Sequence, residues 1–422
     1  MSCKFGFLAV VLTAGVACHQ PSGFPSSSAA PDSMAIRRDI ESLASPALAG
    51  RLTGTPGNDS AAAYIARRYH ALGLTALALD YQQHFVARPP VHNAPSPSLP
   101  TQNVVAVLPG TDRSLREQFV VVGAHFDHLG KSTDGALDPN DRTGVRLGAD
   151  DNASGTAAVM ELARLFARHP ARRSIIFANF SGEEQGDLGS EYFVNHMPVP
   201  IDSVDAMVNF DMVGRMKNDR VIVYGVATAK EMVALLDSAN LVDPLKVAGQ
   251  GDGFGPSDHS SFYGKEIPVL HFFTDLHDDY HRVSDTPDKI NAAGEARVVA
   301  LAERVVRRIA DRPQRLTYVR VAAPVATSAR EGSDVYLGSI PDMAGDNAPG
   351  LRLTGVRAGS PADSAGLEAG DVIVELGGKA VKDLYEYSDA LYSHKPGDKV
   401  TIVVMRAGQR VTLTATLGRR SG

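Results

Sequence analysis

Five short stretches concentrate carboxylates and imidazoles: AHFDHLG at 124–130, GADDNASG at 148–155, FSGEEQGDLGS at 180–190, NFDMVG at 209–214 and YHRVSDT at 280–286. His125, Asp127, Glu183, Glu184 and Asp211, each following an apolar strand-like run, are the candidates they offer for chemistry. Carboxylates brought close together raise one another's pKa and cannot all stay ionised without a strong positive charge among them. None of the first four stretches carries a lysine or arginine, so a metal ion is the economical source of that charge. Histidines and carboxylates with no cysteine suit zinc, with cobalt or manganese as substitutes. Adjacent glutamates can divide the work between a metal and the water to be deprotonated, since neighbouring residues leaving a strand point in different directions. On an extended strand end residues i and i+2 share a face, so Asp127 is expected to accept a hydrogen bond from the His125 ring nitrogen that binds no metal.

The elements that must position these groups alternate along the chain. Apolar runs read as strands at Phe119–Ala124, Ser174–Phe180, Val204–Phe210 and Val269–Phe273, and helical patterns fall at Ala61–Leu72 and Ala153–Arg168. That alternation predicts an α/β domain with a mainly parallel central sheet flanked by helices. His125 and Asp127, Glu183 and Glu184, and Asp211 each follow a strand, where the ligand crevice of an open α/β sheet lies. The domain is expected over 34–311. Prolines and small residues at 312–332 read as a linker, and 333–418 form a second, smaller, β-rich unit.

Composition narrows the setting. The chain has 422 residues, 44% of them hydrophobic, and a net charge of −6 without long blocks of either sign, which argues against a nucleic-acid surface. Lys4, the apolar stretch Phe5–Leu12 and the small residues at 13–17 have the order of a secretory signal, expected over 1–18, with a Ser/Pro-rich tether at 19–33. The only two cysteines, Cys3 and Cys18, lie in this leader, so no disulfide framework is available to the rest. Cys18 is placed as the acylated cysteine of a bacterial lipoprotein signal is, although Gly15 stands where a larger aliphatic residue is usual. The expected location is outside the cytoplasm, periplasmic or at the cell envelope, with membrane contact only through such an anchor. A plain cleaved signal is the alternative.

The five stretches, in this order and spacing, resemble the M28 family of co-catalytic di-zinc peptidases, which includes bacterial aminopeptidases. GRLTGTPGN at 50–58 and PSDHSSF at 256–262 extend the similarity. The resemblance implies two Zn²⁺ per chain, His125 and Asp211 on one, Glu184 and His281 on the other, and Asp151 bridging them. It implies Glu183 as general base and Tyr280 as a donor to the tetrahedral oxyanion, with Asp285 a candidate to orient His281. The second unit resembles a bacterial PDZ domain through Tyr336-Leu337-Gly338-Ser339, the segment Val356–Ala362, Gly366–Ile373 and a helix near Leu384–Tyr392. Such domains take an extended peptide as an added strand and hold its terminal carboxylate on loop amides, here at Tyr336–Ser339.

Blander readings stand beside these. Asp150-Asp151 could cap the helix that follows, and His259, His271 and His277 compete with His281 for the ligand role. The expected activity is release of N-terminal residues from peptides. The alternatives are a carboxypeptidase or other amide hydrolase of the same family, and a binding protein whose PDZ domain recruits partners to an inactive peptidase domain.

Overall fold

The computed structural model describes Met1 and residues 30–89, 97–138, 140–255, 257–321, 335–341, 350–356, 359–382 and 384–419. The signal sequence with Cys18, most of the tether and most of the 312–332 linker lie outside the described residues. Among the described residues no helix is long and apolar enough to cross a membrane.

A nine-stranded sheet organises the first domain. Its order runs Thr75–Ala76, Leu99–Leu108, Ser174–Phe180, Phe119–His125, Val204–Phe210, Val269–Phe273, Arg220–Tyr224, Lys246–Gly249, with Gln82–Ala87 paired to the outer side of Leu99–Leu108. The four central strands, from Ser174–Phe180 to Val269–Phe273, are mutually parallel, and antiparallel neighbours flank them on both sides. Every residue of the Phe119, Ser174 and Val204 strands is buried. Continuous apolar runs such as Phe119-Val120-Val121-Val122 follow from that, because a parallel sheet is covered on both faces. One face packs on the helices Ser33–Leu43, Pro56–Ala71, Gly155–Arg168 and Ala292–Asp311 through Ile36, Ile65, Val159, Leu162, Val298 and Val305. The other packs on Phe180, Phe193 and Phe262.

Two helices differ from the sequence expectation for physical reasons. The helix expected from Ala61 begins at Pro56, where a proline in the first turn loses no hydrogen bond. The helix expected from Ala153 becomes regular only at Gly155. Asp151 and Asn152 keep non-helical backbones (φ −105, ψ 95 and φ −131, ψ 47), and the side chain of Ser154, at the start of the helix, makes no capping bond to it. The acidic pair therefore turns to the sheet's carboxyl edge instead of capping a helix.

The second unit is all antiparallel apart from its helices. Ser339–Pro341, Leu351–Val356, Val372–Leu376, Lys399–Arg406 and Gln409–Thr416 form one sheet, and Val335–Tyr336 pairs with Gly418–Arg419. Its own core contains Leu337, Leu353, Ile373, Leu376, Tyr387, Ile402 and Val404, so it buries a separate apolar centre beneath the helix Leu384–Tyr392.

Candidate metal centre

Three strand ends and two loops converge on one crevice. His125 closes the Phe119 strand, and its Nε2 lies 3.4 Å from Asp211 Oδ1, 3.5 Å from Asp151 Oδ1 and 3.7 Å from Glu183 Oε2. The second oxygen of Asp151 belongs to a neighbouring cluster. His281 Nε2 stands 3.1 Å from Asp151 Oδ2 and 3.1 Å from Glu184 Oε2. Asp151 thus joins a His125–Asp211–Glu183 group to a His281–Glu184 group with one oxygen on each. His281 (φ 53) and Met212 (φ 51) hold left-handed backbones, a conformation uncommon for residues other than glycine and concentrated where side chains must be aimed.

A third histidine enters that the sequence pattern does not single out. His128 Nδ1 is 2.6 Å from Glu184 Oε1 and 3.8 Å from Asp151 Oδ2, in the same AHFDHLG stretch. It fits there because Gly148 (φ +59) leaves room: a Cβ at that position would sit 2.4 Å from the His128 ring. The available signal was a second histidine three residues beyond His125.

Asp127 does not meet His125 as expected. Its carboxylate is 3.7 Å from His125 Nδ1, too long for a hydrogen bond, and the nearer group is its own backbone carbonyl at 3.3 Å. The strand has ended at His125, so the two-residue alternation no longer applies. Instead, Asp127 Oδ1 accepts from the Glu183 backbone N–H at 3.2 Å and Oδ2 from Thr53 Oγ1 at 3.0 Å, fixing the turn that presents Glu183. Asp285 does not reach His281 either. It accepts from the backbone N–H groups of Asp150 and Asp151 at 2.9 and 3.1 Å, while His281 Nδ1 bonds the carbonyl of Gly135 at 2.8 Å. Of the competing histidines, His277 bonds Asp150 Oδ2 at 3.1 Å and His259 stacks flat on His271 behind the crevice.

Burial, reinforced by Glu184, Asp211 and Asp187, pushes the Glu183 carboxyl well above its ordinary range, with His125 opposing. Burial raises Asp151 too, and Glu184 adds to it. Burial would raise Glu184, but His281 and His128 outweigh it and hold Glu184 well below the carboxylate norm. For His125 burial alone would lower the pKa, whereas Glu183 and Asp211 drive it well upward. Dications would take the place of these shared protons. The donor set fits such ions. His125 Nε2 and Asp211 Oδ1 are buried without any hydrogen-bond partner, although each belongs to a group that strongly prefers one. His125, Asp211, Glu184, His281 and Asp151 offer nitrogen and oxygen ligands in the combination zinc accepts.

A narrow pocket of ≈ 70 Å³ opens against the clusters, lined by Asp151, Glu183, Asp211 and His281 together with Met212, Tyr224, Phe273, Leu276 and Tyr280, with His271 among them. Tyr280 stacks on His281 at 3.8 Å between ring centroids. Burial, with Asp151, Glu184 and Glu183 around it, raises its hydroxyl well above the usual tyrosine value, so the proton stays on. Burial holds His271 down to about 4, a neutral ring at working pH.

A mainly parallel sheet with two joined carboxylate–imidazole clusters at its carboxyl edge defines an α/β fold of the zinc-aminopeptidase type. Residues 103–306 match the family model of Peptidase family M28 and residues 329–417 that of the PDZ domain. The chain thus contains a segment that matches M28 peptidases, followed by one that matches PDZ domains. A probable zinc metalloprotease of Leptosphaeria maculans is 38% identical over 118 residues, 28% of this chain and 26% of its own. Leupeptin-inactivating enzyme 1 of Streptomyces exfoliatus is 31% identical over 175 residues, 41% of this chain and 35% of its own. The chain therefore spans no more than 35% of either relative. Among solved structures, the aminopeptidase from Aneurinibacillus sp. strain AM-1 shares the fold with a TM-score of 0.53 at 19% identity, over 70% of this chain and 98% of that one.

Proposed function

We propose that the chain is a co-catalytic di-zinc aminopeptidase that removes N-terminal residues from peptides. The observation that carries this reading is Asp151, one carboxylate shared between two metal-ready clusters beside a largely apolar pocket. His125 and Asp211 would hold one zinc, Glu184 and His281 the other, and Asp151 both, with His128 steadying Glu184 from behind. Two zinc ions there supply a polarised substrate carbonyl and an acidified water. Glu183, 3.7 Å from His125 Nε2 between the clusters, would act as the ionised carboxylate that takes a proton from the attacking water and passes it to the leaving amine. Asp127 and Thr53 keep Glu183 aimed by gripping its backbone and the turn behind it. Tyr280 stays protonated and donates to the oxygen on which negative charge develops.

The lining supports amino-terminal over carboxy-terminal cleavage. A carboxypeptidase site needs a cation for the substrate's terminal carboxylate, and none of the described residues lining this pocket is lysine or arginine. Asp151, Glu183 and Asp211 instead suit an α-ammonium group, with the first side chain against Met212, Phe273 and Leu276. The decisive assay compares a free-amino peptide with its N-acetylated twin, with and without chelator. Equal cleavage of the two, or cleavage that survives chelation, would sink the reading.

The PDZ domain is proposed to hold substrates or partners by a free C-terminus at Tyr336–Ser339. There Gly338 (φ +87) packs so closely on Ser360 that a Cβ would lie 2.3 Å from it. Export and lipidation at Cys18 complete the proposal. Membrane fractionation of a Cys18→Ser variant tests that anchor, and an unchanged membrane share would remove it.

A further inference from the structure

The side-chain pocket has one polar group in its apolar wall that the proposed mechanism leaves unused. His271 sits on the Val269 strand, only 4% exposed, between Tyr224 (ring centroids 5.5 Å) and Phe273 (6.1 Å), with buried His259 stacked 4.5 Å behind it.

A chain of hydrogen bonds starting at a metal-site carboxylate decides which nitrogen of this ring carries its proton. Ser257 Oγ lies 2.9 Å from Asp211 Oδ2, and an ionised carboxylate only accepts, so Ser257 gives its single proton there. Ser257 Oγ must then accept from Asn209, whose Nδ2 is 2.8 Å away, and this orients the amide. The same Nδ2 lies 3.2 Å from His271 Nδ1, which is therefore an acceptor without a proton. A neutral imidazole so held keeps its hydrogen on Nε2. No residue among those described accepts from that nitrogen, and the ring lines the pocket.

We propose that His271 Nε2–H is a specificity-determining donor in the pocket for the first side chain. It would admit peptides beginning with a neutral carbonyl-bearing side chain, asparagine or glutamine, alongside aliphatic ones. The proposal rests on the aminopeptidase reading above. A wholly apolar wall would reject such an amide by about ten- to hundredfold against a hydrocarbon of the same shape, because the side-chain carbonyl would lose water and gain no partner. A donor already held in place offsets that loss.

The experiment uses isosteric pairs on the zinc-loaded full chain: asparagine against leucine and glutamine against homoleucine, as N-terminal residues of otherwise identical chromogenic amides. In the wild type, kcat/KM within each pair is expected to agree to within about tenfold. In His271→Leu the amide member of each pair is expected to fall a further tenfold or more relative to its partner, whatever happens to absolute rates. His271→Gln, which keeps an N–H, is expected to recover part of the ratio. Discrimination beyond tenfold against both amides in the wild type, or a ratio unmoved in His271→Leu, overturns the proposal. The same four free amino acids titrated into the zinc-loaded protein give the ratio as affinities. That measurement decides the matter even if no peptide is cleaved, the outcome that would instead overturn the aminopeptidase reading. Should His271→Leu fail to fold, the wild-type ratios alone support or overturn the proposal by the same tenfold limit.

Discussion

The two ends of the same parallel sheet treat buried charge in opposite ways. At the amino end of the strands Arg173 and Asp205, each 1% exposed, face one another at 3.4 Å. Arg173 donates to Gln118 Oε1 at 2.9 Å and to the carbonyl of Ile309 at 3.3 Å, and Asp205 accepts from the Leu316 N–H at 2.8 Å. Arg315 adds a second cation 3.6 Å from Asp205, so although Arg173 Nη2 and Asp205 Oδ2 make no hydrogen bond, the buried negative charge is met by positive charge. At the carboxyl end Asp127, Asp151, Glu183, Glu184 and Asp211 crowd around His125, His128 and His281, and some of their atoms meet nothing. Balance marks a scaffold, and a surplus of negative charge marks a place that expects something to bind.

The largest effect should come from withholding what the surplus expects. Chelation is predicted to abolish hydrolysis and zinc to restore it, with about two ions bound per chain. Metal analysis of a fully active preparation checks this, and a single ion would contradict a shared Asp151. Next in size is Glu183→Gln, predicted to keep both metals while turnover drops by about two orders of magnitude or more. A variant that empties a metal site would make Glu183 a ligand, a role its 3.7 Å approach to His125 Nε2 keeps in contention.

Breaking the balanced end should have a different signature. Arg173→Met leaves Asp205 buried with only the half-exposed Arg315, 3.6 Å away, as its cation and should cost at most about 3–5 kcal/mol in denaturant unfolding. The folded fraction should retain its metal and its kcat. Lost metal affinity would mean that the two ends are not independent. The smallest effect is a slope. His271 is held down to about 4 in the folded chain, against about 6.5 when unfolded. Between those values the unfolded state binds a proton that the native ring refuses. Its contribution is therefore fully present above pH 6.5 and lost as pH falls toward 4, by about 1.4 kcal/mol per pH unit. His271→Gln should flatten the difference when both proteins are unfolded in chelator across that range.

Much of this contrast is legible in the amino-acid sequence. Strand runs such as Ser174–Phe180 and Val204–Phe210 carry their boundaries in apolar continuity, and the acidic and imidazole residues that follow them reach one crevice because parallel strands share a carboxyl edge. What is illegible depends on backbone direction after a strand stops. The periodicity that suggests a side-chain bond from Asp127 to His125 ends one residue before Phe126, and Asp285, expected at His281, gives its oxygens to N–H groups far away in sequence. His128 offers only its closeness to His125 as a sign of its role, because its partner Glu184 comes from the turn after another strand, 56 positions along the chain. Nor does a string of letters reveal that Asp150, beside the bridging residue, ties Gly214 N at 2.7 Å and His277 together.

Arg51, in the GRLTGTPGN stretch, is fully buried and ends on carbonyls, donating to Phe126 at 2.6 Å, Leu43 at 2.6 Å, Leu147 at 2.8 Å and Gly148 at 2.9 Å. Burial lowers its pKa to about 10, with Asp127, Asp151, Asp285 and Glu184 opposing that fall, so it remains charged at neutral pH. Its charge is felt by the crowded carboxylates without being consumed by contact with any of them. The protein thereby carries a resident counter-ion that cannot diffuse away. A newly folded chain that has yet to acquire metal is spared part of its own repulsion, and the crevice can wait in a shape ready for loading.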